Sequence, residues 1–243
     1  MGKLYNKLKK YSIEDAIKFE EQDRQFLALK KLYQNWKIQD ELYLLLIIVN
    51  ALISFQLSWK WEDYWEEFWN TIHNSTLNSF IYLREGEVGE EEIKNMYNFF
   101  EDLLKNGKNN RRFVDMKLKR VEKFLNWFSF EKSEDLEYFY KNMDILAKDL
   151  AKVMNQKIDA KTIVFAVKMF SYWARNVFWY LQNFPGNLMI PIDSRLENLY
   201  KKYNWEWSKR EIKNYYIELS KKLNISLLHL DAILWVNYVE LIK

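Results

Sequence analysis

Two residues that open helical patterns could do covalent chemistry. Lys161 starts the run Lys-Thr-Ile-Val-Phe-Ala-Val-Lys after a short polar break, and Asp193 follows Ile-Pro-Ile ahead of Ser-Arg-Leu-Glu-Asn-Leu. A lysine attacks an electrophilic carbon only as the neutral amine, and the positive end of a helix disfavours its ammonium form. A carboxylate nearby can stabilise developing positive charge or move protons. Together the two suggest amine chemistry at an electrophilic carbon rather than binding alone.

Other residues could hold the reacting molecule. If residues 160–182 form one helix, Lys161, Phe165 and Lys168 fall at i, i+4 and i+7, on a single stripe. Asp231 and Trp235 are i, i+4 neighbours in the last helix. Each pair sets an aromatic plane beside a charged group, which suits a flat heterocycle stacked on a ring and hydrogen-bonded at its edge. With 11 Trp and 16 Phe in the chain, a single aromatic at helical spacing is more often core. A first-turn lysine is more often solvated, and a helix-opening aspartate is more often only a cap. Asp231 stands apart, because burying an unpaired carboxylate inside an apolar helix is expensive.

The elements that must position these groups read as helices. Five glycines and two prolines in 243 residues are too few for the turns of a sandwich or barrel. No stretch keeps a period-two alternation, so the fold class is all-α. Ser12 caps a helix reaching about Trp36, and Asp40 one covering Leu42 to Phe55. Trp61, Trp65 and Trp69 mark a third, and a short helix after Asn74–Thr76 ends at the Gly86–Gly89 turn. Helices over 90–106 (with Gly107 as a left-handed C-cap), 111–128 and 133–154 (with a break near Asn142) follow. Asp159 is the expected N-cap ahead of Lys161, and residues 183–191 form the clearest connection. Asp193 caps a helix over 194–203, Ser208 and Glu211 form a capping box, and Ser226 starts the last helix.

Composition excludes several classes. The absence of cysteine rules out disulfides, thiolate catalysis and a cysteine-held cluster, and two histidines make a histidine-rich metal site improbable. No cofactor or metal is expected. The longest apolar run, Leu42 to Phe55, has 14 residues, short of the roughly 20 that span a bilayer. The basic N-terminus lacks a following apolar signal core. The expectation is a cytoplasmic protein with no membrane partner. Net charge is only +3, but Lys105, Lys108, Arg111, Arg112, Lys117, Lys119 and Arg120 stand against Asp115 alone. That stretch could neutralise phosphates or be a solvated helix face.

The segments Lys161–Phe165, Ile190–Arg195 and Leu228–Trp235 resemble those of the archaeal 8-oxoguanine DNA glycosylases, a branch of the helix-hairpin-helix DNA glycosylases. The 32 residues separating Lys161 from Asp193 fit that branch, as do Gln25 in Asp-Arg-Gln-Phe-Leu-Ala, Asn50-Ala-Leu-Ile-Ser54 and Tyr64-Trp65-Glu-Glu-Phe68. The matches run in order from residue 23 to 237. One departure from the wider superfamily is a hairpin without glycine before Lys161.

The resemblance implies two helical subdomains, 1–38 plus 188–243 and 39–187, with a helix-hairpin-helix element and the active site in the cleft between them. It implies a bifunctional N-glycosylase and abasic-site lyase, a monomer acting on double- or single-stranded DNA that contains 8-oxoguanine. Lys161 would be the nucleophile and Asp193 its carboxylate partner. Gln25, Trp65, Phe165, Lys168, Asp231 and Trp235 would bind the base, Lys168 also favouring the neutral form of Lys161. The alternative is a non-catalytic helical DNA-binding protein or interaction scaffold.

Overall fold

The side chains that open the helices do much of what their types suggest. In the computed structural model, which describes residues 2–34, 40–74, 90–128, 136–204 and 208–243, fourteen helices and no strand are found among those residues. They are α1 (Gly2–Leu8), α2 (Ile13–Gln22), α3 (Arg24–Gln34), α4 (Asp40–Ile53), α5 (Trp61–Asn74), α6 (Glu90–Asn106) and α7 (Val114–Trp127). Then come α8 (Leu136–Lys141), α9 (Met143–Val153), α10 (Lys161–Phe178), α11 (Ser194–Tyr203), α12 (Lys209–Leu223), α13 (Leu227–Val236) and α14 (Tyr238–Leu241). Ser12 and Asp15 close a reciprocal capping box on α2, and Ser208 accepts from the Glu211 N–H at the start of α12. Ser226 precedes α13 without a side-chain cap bond. Asn142 divides α8 from α9, as expected.

Several boundaries differ from the sequence expectation: α4 begins at Asp40 itself and ends at Ile53 rather than Phe55, and α7 begins at Val114 rather than 111. The long helix after Ser12 breaks at Asp23, whose backbone turns extended (ψ 127°) while its Oδ1 accepts from the Gln25 N–H at 2.9 Å. Gly107 is not left-handed, since no described glycine has positive φ. A Cβ there would lie 2.3 Å from the Leu103 carbonyl oxygen, so close approach is what demands glycine. The N-cap of α10 is Ala160 rather than Asp159, because Asp159 pairs with Lys213 instead. Finally, α10 stops at Phe178 rather than Gln182, where Trp179 adopts φ 60°. Trp36, Ser133 and the short helix between Thr76 and Gly86 lie outside the described residues.

The connection from α9 to α10, where the resemblance puts the helix-hairpin-helix element, is built without glycine. Asn155 takes the left-handed position (φ 50°), and its N–H bonds to the Lys152 carbonyl while that of Gln156 reaches back to Ala151. This is the double bond pattern that usually recruits glycine; asparagine is the residue that best replaces it.

Two apolar clusters hold the chain together. The larger surrounds α4, which from Leu42 to Ile53 is apolar on every side save for Asn50 and is buried throughout that stretch. It lies against α10, whose residues 163–174 are also buried. The other cluster gathers α1, α2 and α11 to α14. Phe26 and Leu29 of α3 belong to the larger cluster. Glu20 of α2 ties three helices together: it accepts from Arg175 Nη2 of α10 at 2.5 Å and lies 2.6 Å from His229 Nδ1 of α13. Burial alone would raise the Glu20 carboxyl pKa, but His229 and Arg175 bring it below the ordinary value.

Candidate active site

A narrow cleft, about 380 Å³ of free space with its open mouth included, is lined by Gln25, Trp61, Lys161, Phe165, Lys168, Pro191, Asp193, Asp231 and Trp235. Seven of the eight site residues expected from the sequence meet there. They come from α3, from α10, from the turn into α11 and from α13, segments far apart in the chain.

Helix α10 supplies one side of the cleft. Lys161 is its first residue and is exposed at the mouth, its Nζ 5.0 Å from the centre of the Trp61 ring. Phe165, one turn deeper, meets Trp61 edge-on at 4.6 Å between centroids. Lys168, a further turn in, donates to Asp231 Oδ2 at 2.9 Å and lies 3.9 Å from Asp23 Oδ2. This stripe continues to Tyr172 and Arg175, so one helix face carries both the cleft and the Glu20 network.

The Lys168 group is a buried assembly of one cation and two carboxyls. Burial by itself would lower the Lys168 pKa, but Asp231, Tyr172 and Asp23 outweigh it and hold the ammonium well above its ordinary range. Desolvation raises the pKa of both Asp231 and Asp23, with Lys168 offsetting part of the shift in each. The causes are opposite in kind: the carboxyls hold the Lys168 proton on, whereas desolvation raises the two carboxyls because one positive charge shared between them compensates neither fully. Lys168 is therefore not the free cation beside Lys161 that the sequence reading assumed. Its charge is matched by Asp231 and Asp23.

Asp193 is an N-cap as well as a cleft residue. Its Oδ1 accepts from the Leu196 N–H at 3.0 Å, leaving Oδ2 for the cleft. Two residues on, the Arg195 guanidinium sits over the Trp235 ring, its central carbon 3.6 Å from the ring centre.

Trp65 is not part of the cleft wall. It is buried one turn further along α5, against Phe165 and Phe68, with its indole N–H unpartnered among the described residues. Trp61 lines the cleft in its place. Both lie on the i, i+4 tryptophan ladder, so spacing puts them on one stripe; position at the start of α5, nearest the opening, is the signal that separates them. Pro191 and the supporting groups Asp23 and Arg195 were likewise not singled out from the sequence.

The Lys105–Arg120 stretch divides between surface and interior. Lys105 pairs with Glu101 and Arg111 bonds to the Gly107 carbonyl. Lys117 is buried and donates to Asn110, and Arg120 donates to the Leu52 carbonyl at 2.9 Å. Burial, helped by Arg120 and Arg112, pushes the Lys117 pKa down to about 8. None of these residues lines the cleft. Among the described residues no group of three His, Asp or Glu side chains could hold a metal ion, and no helix is long and apolar enough to cross a membrane.

Comparison with known proteins bears on what a slot of this construction does. The chain matches the family described as AGOG, N-glycosylase/DNA lyase, over residues 5–241. A relative from Nanoarchaeum equitans named N-glycosylase/DNA lyase is 38% identical over 229 residues, covering 94% of this chain and 86% of the relative. Proteins of the same name from Methanococcus maripaludis (33% over 218 residues, 88% and 77% covered) and Thermococcus kodakarensis (34% over 237, 96% and 82%) also match. The solved structure of Pa-AGOG, an 8-oxoguanine DNA glycosylase from Pyrobaculum aerophilum complexed with 8-oxoguanosine, shares the fold. Its TM-score is 0.75 at 20% identity, with 97% of this chain and 86% of that one covered.

Proposed function

The chain belongs to the AGOG family of N-glycosylase/DNA lyases, and from that premise we propose that it removes 8-oxoguanine from DNA by attack of Lys161 on the sugar. The observation that carries this reading is the meeting of an amine, a carboxylate, stacking rings and an edge-binding amide in one cleft.

In this reading the Lys161 nitrogen bonds to C1′ while the N-glycosidic bond breaks, its electron pair leaving with the base. Asp193, through Oδ2, stabilises the positive charge that grows on the sugar and relays protons. The ring opens to a Schiff base. Loss of a C2′ proton then expels the 3′ phosphate by β-elimination, cutting the strand.

The base is selected by its edges. Guanine N7 only accepts a hydrogen bond, whereas the oxidised base carries a hydrogen there. The Gln25 side-chain oxygen can accept from it, and a site built for that bond rejects the base that lacks it. Asp231 accepts from the N1 and N2 hydrogens, with Lys168 keeping its carboxylate charged and aimed. Phe165 and Trp235 stack the ring, Trp61 closes the wall, and Trp65 backs Phe165. Eversion of the nucleotide costs a few kcal/mol, which stacking in the slot offsets.

The reading extends to DNA carrying the lesion in either double- or single-stranded form, and to a monomer acting on DNA in the cytoplasm. The two apolar clusters support two subdomains with the cleft between them. Phe26 and Leu29 draw α3 toward the middle one, favouring a first division near Asp23 over residue 39.

Borohydride reduction tests the chemistry, because it converts a Schiff base into a permanent protein–DNA adduct. Trapping with 8-oxoguanine DNA is expected, and none after Lys161→Gln. A non-catalytic DNA-binding role predicts no adduct with either protein, and undiminished trapping by the variant would place the nucleophile elsewhere.

A further inference from the structure

Trp235 sits at the last turn of α13, part exposed, and among the described residues its ring stacks on no other aromatic. One of its faces is covered by a cation instead. The central carbon of the Arg195 guanidinium lies over that face, 3.6 Å from the ring centre and in van der Waals contact. Arg195 is itself held from the opposite wall: its Nη2 is 3.8 Å from Glu62 Oε1, and Glu62 follows Trp61 on α5. The guanidinium thus links Trp235 to the first turn of α5, the helix that carries Trp61, and neither contact consumes the Asp193 cap, which uses the Leu196 backbone.

We propose that Arg195 is a positioning residue for base recognition: it fixes the Trp235 indole in the orientation that stacks the everted base, and does so without touching the sugar or the phosphates. The inference rests on the reading of the cleft as the base pocket. A planar guanidinium suits this task because it stacks on an indole and stays charged. A ring already fixed in place loses less freedom when the base arrives, and immobilising one such side chain is worth roughly 2- to 10-fold in affinity.

The test separates base recognition from backbone chemistry by using a substrate with no base. Arg195→Ala and Trp235→Ala are compared with the parent protein in three measurements: binding of free 8-oxoguanosine, single-turnover excision from 8-oxoguanine DNA, and cleavage of abasic-site DNA. For Arg195→Ala the expectation is nucleoside binding and excision weakened by roughly 2- to 10-fold, with abasic-site cleavage unchanged. Arg195→Lys keeps the charge but not the plane, and is expected to recover only part of the loss. Unchanged nucleoside binding in Arg195→Ala while Trp235→Ala weakens it overturns the inference and leaves the pocket intact. An equal fall in abasic-site cleavage also overturns it, since Arg195 would then grip the DNA backbone. If Trp235→Ala too leaves nucleoside binding unaltered, the reading of the cleft itself fails.

Discussion

Replacing Lys168 by methionine should destabilise the protein strongly and in a pH-dependent way. The side chains of Lys168 and Asp231 are 4% and 7% exposed, and Asp23 is equally enclosed. Methionine preserves most of the volume and removes the charge, leaving two buried carboxyls with no cation. Breaking such a pair from one side costs about 3–5 kcal/mol. In a chain of this size each kcal/mol moves the melting temperature by roughly 2–4 °C, so a fall on the order of 6–20 °C is expected.

The sign of the pH effect follows from the carboxyls. Both are already raised by desolvation with Lys168 present, and its removal raises them further. The folded protein then binds more protons than the unfolded chain above the ordinary carboxylate range, and stability falls as pH rises through that window. Urea denaturation at about pH 5 and about pH 8 should show the larger loss at the higher pH. Replacing Asp231 by leucine as well should restore much of the stability, because only the broken pair is costly. A loss below about 1 kcal/mol, or one equal at both pH values, would mean that the group behaves like a solvated surface pair and would refute the reasoning.

Two further outcomes follow from the cleft. Asp193→Asn should retain stability within about 0.5 kcal/mol, because asparagine caps a helix as well as aspartate does; excision should slow by roughly 10²-fold or more while lesion binding persists. Parallel losses of binding and rate would make Asp193 a structural cap. Trp61→Ala should weaken 8-oxoguanosine binding by about 1–3 kcal/mol with little change in melting, whereas Trp65→Ala should lower stability by about 3–5 kcal/mol. Calorimetric titration and thermal denaturation distinguish the two, and interchanged behaviour would reassign the wall.

Helix starts were legible where a short polar side chain could accept from the first turn, as at Ser12, Asp193 and Ser208. The break at Asp23 was not, because the same aspartate chemistry can be satisfied locally or by a distant partner. Here it is satisfied both ways, by the Gln25 N–H and by Lys168. The cost of burying Asp231 marked it as unusual, but only packing showed that Lys168, seven residues along α10 from Lys161, pairs with it. Trp61 and Trp65 show the limit of periodicity: a stripe defines a direction, while depth along it depends on what the other helices cover. The basic run from Lys105 to Arg120 likewise hid one buried cation, Lys117, and one half-buried, Arg120, both held at the carbonyl end of α4, which a count of charges cannot separate from surface ones.

Helix α10 is at once the beam on which the larger core hangs and the mount for Lys161, the amine proposed to react. Tolerance to substitution should therefore be graded along it by depth rather than by distance from the DNA. Near Lys161 a change can silence the enzyme and leave a sound fold. Around Met169 to Trp173 a change is first a threat to folding, and any loss of turnover there reports a misaligned rod, not a missing reagent.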